Sequence, residues 1–256
     1  MSSEATISDL IRRGEDALLE GGFRTGDFAQ ARALLSAARE RAKRAGDRAL
    51  EAAATDRLGL ALHYENIARL MQGLELAPAD IDAEEMLFRE ALDLREADDD
   101  RAGVAQSLFG LGLVFQVLRR DWASAMPRFW RALEIVEEIG DAADLYTRSE
   151  VHRHVGFYYL VEEVRLDEAV RHLQRSLDLR KQLGDARVIP SGLVALGEAE
   201  LVAGHPEQAV ELLEQALLIA RQAGLLPERI NDAEHTLQDA RAMLATHQTE
   251  AKPRER

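Results

Sequence analysis

The chain has 256 residues, 46% hydrophobic but only 5% aromatic and 30% charged, which is material for an aliphatic core in one large or two average domains. No cysteine is present, excluding disulfide scaffolds, thiolate zinc sites, iron–sulfur clusters and cysteine nucleophiles. The 32 Lys and Arg stand against 46 Asp and Glu, and the net charge of −14 repels phosphate backbones, so nucleic acid is not an expected partner.

Residues 1–7 are expected to be disordered. The stretch Met1–Arg13 carries Glu4 and Asp9 and no apolar run of a secretory signal, so a cytoplasmic location is expected. A first small-large-small pattern follows at Ala31, Leu35 and Ala38, with a stop at Gly46-Asp47. Next comes Leu58-Gly59, on a helix that continues through Glu65 to Met71 and a Gly73 stop, then a loop over Leu74–Asp80. Glu84, Phe88 and Ala91-Leu92 make a weaker copy of the pattern, closed at Asp99-Asp100.

Ala102–Leu118 holds 17 residues without a charge, the lower limit for a membrane span. Its Gln106, Ser107, Gln116 and three glycines, and the repeats on either side, predict a buried helix and no membrane. Leu111-Gly112 lies within it, followed by Ala125, Phe129, Ala132-Leu133 and a Gly140-Asp141 stop. Pro127 falls about a turn into that second helix, which either begins late or kinks, with Trp122 capping it from outside. The order recurs as Val155-Gly156, then Ala169, Leu173, Ser176-Leu177 and Gly184-Asp185. It recurs again as Leu196-Gly197, then Ala209, Leu213, Ala216-Leu217 and Gly224. Pro227 to Ala245 reads as a closing amphipathic helix with a polar outer face, within a capping segment at 225–246. Residues 247–256 form an expected disordered tail.

The physics is that of paired antiparallel helices. A small residue lets two axes approach, a large apolar one four positions later fills the groove, and Gly ends the helix before Asp starts the next. These marks resemble tetratricopeptide repeats, most completely over Pro190–Gly224 with its Gly204-His205-Pro206 turn. The Ala marks are 44 and 40 residues apart, longer than the standard 34, and similar to repeats of kinesin light chains and of bacterial signal-transduction ATPase sensor arms. The resemblance implies an all-α, right-handed superhelical solenoid of five antiparallel helix pairs over residues 8–224, in a bacterial protein.

One repeat is irregular. Gly59 to Glu84 spans 25 residues where the corresponding spacing in the next two repeats is 13, an insertion near 65–82. Residues 51–100 also hold 14 acids and 4 bases, most of the net charge. Either feature is a partner-contact edge or a solvated surface.

Chemistry-bearing motifs are few. His152 and His154 point to different sides of a helix, while Glu150–His154 and Glu168–His172 are i, i+4 pairs of a kind usually met as surface ion pairs, so no metal site is expected. Gly110-x-Gly112 imitates a dinucleotide fingerprint but lies inside an apolar helix with Phe115 in place of the third glycine. No phosphate loop or nucleophile elbow occurs, no cofactor is expected, and no catalytic residue is assigned.

The resemblance places a binding wall on the first helix of each pair, two residues before each Leu-Gly mark and two, five and six after it. These positions yield Asp56, Leu60, His63 and Tyr64; Phe109, Leu113 and Gln116; Arg153, Phe157 and Leu160; Glu198 and Leu201, with His154 at the rim and Val117, Val161, Val194 and Val202 completing the registers. A wall exposing Phe109, Leu113, Phe157 and Leu160 needs a cover, at about 25 cal/mol per Å². The reading is a protein-interaction adaptor that binds a peptide or helix in this groove. The alternatives are a small-molecule or signal-peptide receptor, or an enzyme, enclosing a pocket on the same face, or closure of the wall upon itself as core. The same patch would also serve a homo-oligomer.

Overall fold

The computed structural model of the chain describes residues 5–250; of the ends expected to be disordered, 1–4 and 251–256 lie outside it, whereas Thr6 caps the first helix and the last helix continues through 247–250. The described residues form eleven α-helices and no strand. They are α1 (Ile7–Glu20), α2 (Ala29–Ala45), α3 (Arg48–Met71), α4 (Pro78–Ala97), α5 (Arg101–Leu113), α6 (Trp122–Ile139), α7 (Leu145–Val161), α8 (Leu166–Leu183), α9 (Ile189–Val202), α10 (Pro206–Gln222) and α11 (Pro227–Glu250). Two compact units result, Met1–Thr147 and Arg148–Arg256, with the boundary inside α7. Within each, consecutive helices pack on one another, and alternate helices also touch, α1 on α3, α3 on α5 and α9 on α11. This is the sequential packing of an all-α solenoid.

One contact recurs in all five pairs. Gly14, Gly59, Gly112, Gly156 and Gly197 on the odd-numbered helices face Leu35, Phe88, Phe129, Leu173 and Leu213 on the even-numbered ones, so closely that a Cβ on any of the glycines would come within 2.3–2.9 Å of that side chain. Each of these large residues is buried, and Ala31, Ala125, Ala169 and Ala209 stand four positions before four of them, also buried. The fifth such position holds Glu84.

The caps follow their chemistry. Asp47, Asp100 and Asp121 accept from the backbone N–H three residues on, at 3.1, 2.9 and 3.0 Å, and start α3, α5 and α6. Asp141 does not start α7; Asp144 does so, accepting from Thr147 N at 2.8 Å. Nor does Asp185 cap α9, whose first turn instead contains Pro190. The helix containing Pro127 neither begins late nor takes Trp122 as an outside cap, since α6 starts at Trp122 itself and carries Pro127 within. The α3 helix does run to Met71 before Gly73, but α4 begins at Pro78, so the loop is shorter than expected. At the far end α11 buries Ala233, Leu237 and Ala240 against α10 and leaves Asp232, His235 and Asp239 exposed.

Among the described residues, Arg101–Leu118 is the segment long and apolar enough to cross a membrane by length and composition. Half of it is buried, and α5 packs on α3, α4 and α6.

Ten turns join the eleven helices, and each holds one residue of positive φ. Seven are glycines; Asp99, Arg120 and Val164 are not. A β-branched side chain at φ 53° crowds its own backbone at a cost of about 1–2 kcal/mol, and Val164 is 65% exposed, so it gains little from packing. Val164→Gly should raise stability by about 1 kcal/mol, measured as a higher urea midpoint with unchanged slope.

Candidate functional site

In the first unit the registers of the expected wall are largely closed. Asp56, Leu60, His63, Phe109 and Leu113 are buried, and Tyr64, Gln116 and Val117 are half-buried. Phe109 lies 6.1 Å from the Phe129 ring. His63 turns inward, its Nδ1 2.7 Å from Glu84 Oε1, while Asn66 donates to the other carboxylate oxygen at 3.0 Å. Glu84 is fully buried at a position where the other pairs carry alanine, so it needs both partners. The Tyr64 hydroxyl lies 2.6 Å from that of Tyr146, and its ring 6.3 Å from Phe23.

Asp56 belongs to a buried charge network. Arg95 donates to it at 2.8 Å, to the Gly103 carbonyl at 2.9 Å and to Ser107 Oγ at 2.7 Å, and Ser107 in turn donates to Asp56 at 2.9 Å. Arg57 bridges Asp56 and Glu15 at 3.0 and 2.5 Å. Burial opposes the Arg57 charge, but Asp56, Glu15 and Asp144 outweigh it and raise its pKa. Burial likewise opposes the Asp144 charge, yet Arg57 and the Thr147 and Gln106 hydrogen bonds hold that carboxyl below its usual range. The second unit repeats the device: Arg180 donates to the Val188 carbonyl and Ser191 Oγ, each at 2.6 Å, and to Glu150.

The sequence carried a signal for this pairing, since Ala91-Leu92-Asp93-Leu94-Arg95 and Ser176-Leu177-Asp178-Leu179-Arg180 differ only in their first residue. Arg95→Met should cost about 3–5 kcal/mol in chemical denaturation, because it strips a buried carboxylate of its main partner. Adding Asp56→Leu should recover part of that loss.

In the second unit the same registers are half-open. Arg153, Phe157, Leu160, Val194, Glu198 and Leu201 are all half-buried, and Val161 and Val202 are 54% and 57% exposed. Phe157 and Leu160 lean on the cluster of Leu173, Leu177, Leu193 and Leu196, and Leu201 on Leu213 and Leu217. The Arg153 guanidinium lies 4.8 Å from the Phe157 ring centroid. His154 is buried, with Nε2 3.8 Å from Glu150, and His152 and His172 meet Nδ1 to Nδ1 at 3.0 Å. Among the described residues no three His, Asp or Glu side chains converge as a metal set.

Burial pushes the Glu198 carboxyl up, Arg153 pulls it down only in part, and Asp232 adds to the rise. The folded state therefore holds this proton more tightly than the unfolded chain, and stability is lost as pH rises from the ordinary glutamate range through the folded pKa. Glu198→Gln should raise the thermal midpoint at pH 7–8. The gain should shrink to nothing in a pH series taken below the usual glutamate range.

The acidic stretch 51–100 is met by arginines of the same unit: Glu65 by Arg32 at 3.3 Å, Asp80 by Arg69 at 3.0 Å, Asp82 and Glu85 by Arg119 at 2.7 Å, Glu90 by Arg39 at 2.7 Å and Asp98 by Arg48 at 3.2 Å. Glu75, Asp93, Glu96 and Asp99 stay exposed. A groove of about 500 Å³ between α10 and α11 is lined by Leu217, Leu218 and Leu237 and by the Arg241–Glu214 pair at 2.7 Å. None of the expected wall residues lines it.

No family model and no curated protein matches the chain. Among solved structures it is similar to one titled "Crystal structure of BtubC (BKLC) from P. vanneervenii", at 18% identity and a TM-score of 0.48, covering 88% of this chain and 95% of that one.

Proposed function

We propose that the protein is a tetratricopeptide-type interaction adaptor, cytoplasmic and bacterial, that binds a peptide segment on the inner helices of its second unit. One observation carries the reading: registers that are largely closed in the first unit stay half-open in the second, where they combine apolar side chains with a carboxylate whose charge burial disfavours and an arginine. Val161 and Val202, six residues after their marks on α7 and α9, offer aliphatic contact, and Phe157, Leu160 and Leu201 form the floor. Arg153 and Glu198 supply orienting polar groups of opposite charge. An apolar side chain laid on this floor removes water from surface that the chain itself leaves wet, the usual source of peptide affinity. Leu113, by contrast, is 4% exposed, and a charge there would disturb the core rather than a ligand.

The test is selection of displayed random peptides against the full chain, followed by binding to a Val161→Arg/Val202→Arg variant. Both positions are exposed, so the variant should keep its helical circular dichroism and thermal midpoint while binding the selected peptides at least about tenfold more weakly. Undiminished binding by the folded variant would overturn the proposal.

A further inference from the structure

Away from the inner registers, two arginines of the first unit share one carboxylate, and a third approaches the same Phe115 ring as one of them. Glu85 on α4 accepts from Arg89 at 2.5 and 2.9 Å through one oxygen and from Arg119 at 2.7 and 3.2 Å through the other. Arg119 also reaches Asp82 at 2.7 Å. Burial opposes the Glu85 charge, but those hydrogen bonds outweigh it and hold the carboxyl below its usual range. Arg89 and Arg119 thus have carboxylate partners.

Arg128 does not. Its guanidinium is half-buried and 4.1 Å from the centroid of the Phe115 ring, and among the described residues its one hydrogen bond goes to the Ser124 carbonyl a turn back in its own helix. Asp121, the nearby acid, is engaged with Ser124 N at the start of α6. Burial and the charge of Arg89 both lower the Arg128 pKa, and Glu85 and Asp121 only partly offset them. A guanidinium drawn out of water onto an aromatic face, with donors to spare and a like charge beside it, is poised for an anion.

The local backbone is unusual on both sides. Phe115 lies in a π-helical turn, Val114–Leu118, which ends the α5 segment, and Arg128 follows Pro127 inside α6. Single π turns recur at functional positions because they re-aim a side chain that a regular helix would place elsewhere.

Charge decides the class of anion. Asp82 and Glu85 answer Arg119 and Arg89, and Asp121, engaged with Ser124 N, offsets Arg128 only in part, which leaves room for a single negative charge. A phosphate monoester brings about −1.5 to −2 and would meet three acids at close quarters. A carboxylate fits. Met86, 68% exposed and three residues before Arg89 on α4, presents apolar surface on the same side of that helix.

We propose that Arg128, backed by Phe115, binds a single carboxylate from an acidic side chain of a partner protein, with Met86 as the adjoining apolar contact. This site lies outside the inner registers, and it stands whether or not those registers hold a peptide.

The experiment follows the arginine Nε–H resonances of the full chain during titration with the peptide acetyl-Leu-Glu-Leu-amide, its Gln counterpart, inorganic phosphate and chloride at equal ionic strength. The Arg128 signal should move saturably with the Glu peptide and respond at least about tenfold more weakly to the Gln peptide. Arg128→Lys keeps the charge but loses the planar fork, and Phe115→Leu keeps the fork but loses the ring; each should weaken the Glu-peptide response several-fold. The Val161→Arg/Val202→Arg variant should respond as the parent does. Equal responses to the Glu and Gln peptides or to chloride, or tighter binding of phosphate than of the Glu peptide, would overturn the proposal.

Discussion

The fold depends on one contact repeated five times, a large apolar side chain of an even-numbered helix set on the bare backbone of a glycine in its partner. Leu35, Phe88, Phe129, Leu173 and Leu213 each occupy space that any Cβ on the facing glycine would claim. The glycine costs helix propensity, about 1 kcal/mol relative to alanine, and the close approach it allows offsets that with dispersion and buried area. Phe88 does more than close its own pair. It also packs on Gly110, so the Gly110-x-Gly112 element is a double seat, one glycine for the preceding pair and one for its own Phe129. What imitates a nucleotide-binding fingerprint is a helix thinned to admit two rings.

Where apolar packing gives way, ions take over in a matched form. Arg95 and Arg180 each tie the end of one even-numbered helix to a carboxylate on the helix before it and to a carbonyl and a serine at the helix after it. The remaining even-numbered helices, α2, α6 and α10, have Ala42, Val136 and Ala220 at the matching place, all buried. Net gain from burying such charges is small, because desolvation takes back most of the Coulombic energy. Their effect is on register: a guanidinium with several fixed acceptors tolerates one placement of the next helix, whereas alanine and valine tolerate neighbouring ones.

The periodic marks were legible in the sequence because they are backbone requirements: the Leu-Gly positions, the small residues four before each large one, and the glycine stops. Gly14 escaped notice because Arg13 precedes it where the other pairs have an apolar residue. The turns at Arg120 and Val164 escaped notice because nothing in either side chain announces a left-handed backbone. The wall was legible as a direction only. Position relative to a Leu-Gly mark says which way Asp56, Leu60, Phe109 and Leu113 face, but whether another side chain covers them is a tertiary fact, and in the first unit they are covered. The acidic stretch was legible as charge but not in its partners, since the arginines that meet it, such as Arg39, Arg48 and Arg119, lie tens of residues away in sequence.

The half-open registers of the second unit and the unanswered Arg128 of the first share a physical logic. A chain optimised for stability alone would place an apolar group at Glu198 and a carboxylate beside Arg128, because each now holds a charge that burial disfavours and that its neighbours only partly balance. Elsewhere the buried charges of this protein meet fixed partners: Glu84 has His63 and Asn66, Asp56 has Arg95, Arg57 and Ser107, and Arg180 has Glu150, the Val188 carbonyl and Ser191. Against that standard, a carboxyl and a guanidinium left short of partners are departures from the chain's own rule. Departures of this kind are tolerated where a ligand completes the set, and they separate these two places from the rest of a surface on which exposed ion pairs are common and individually worth little.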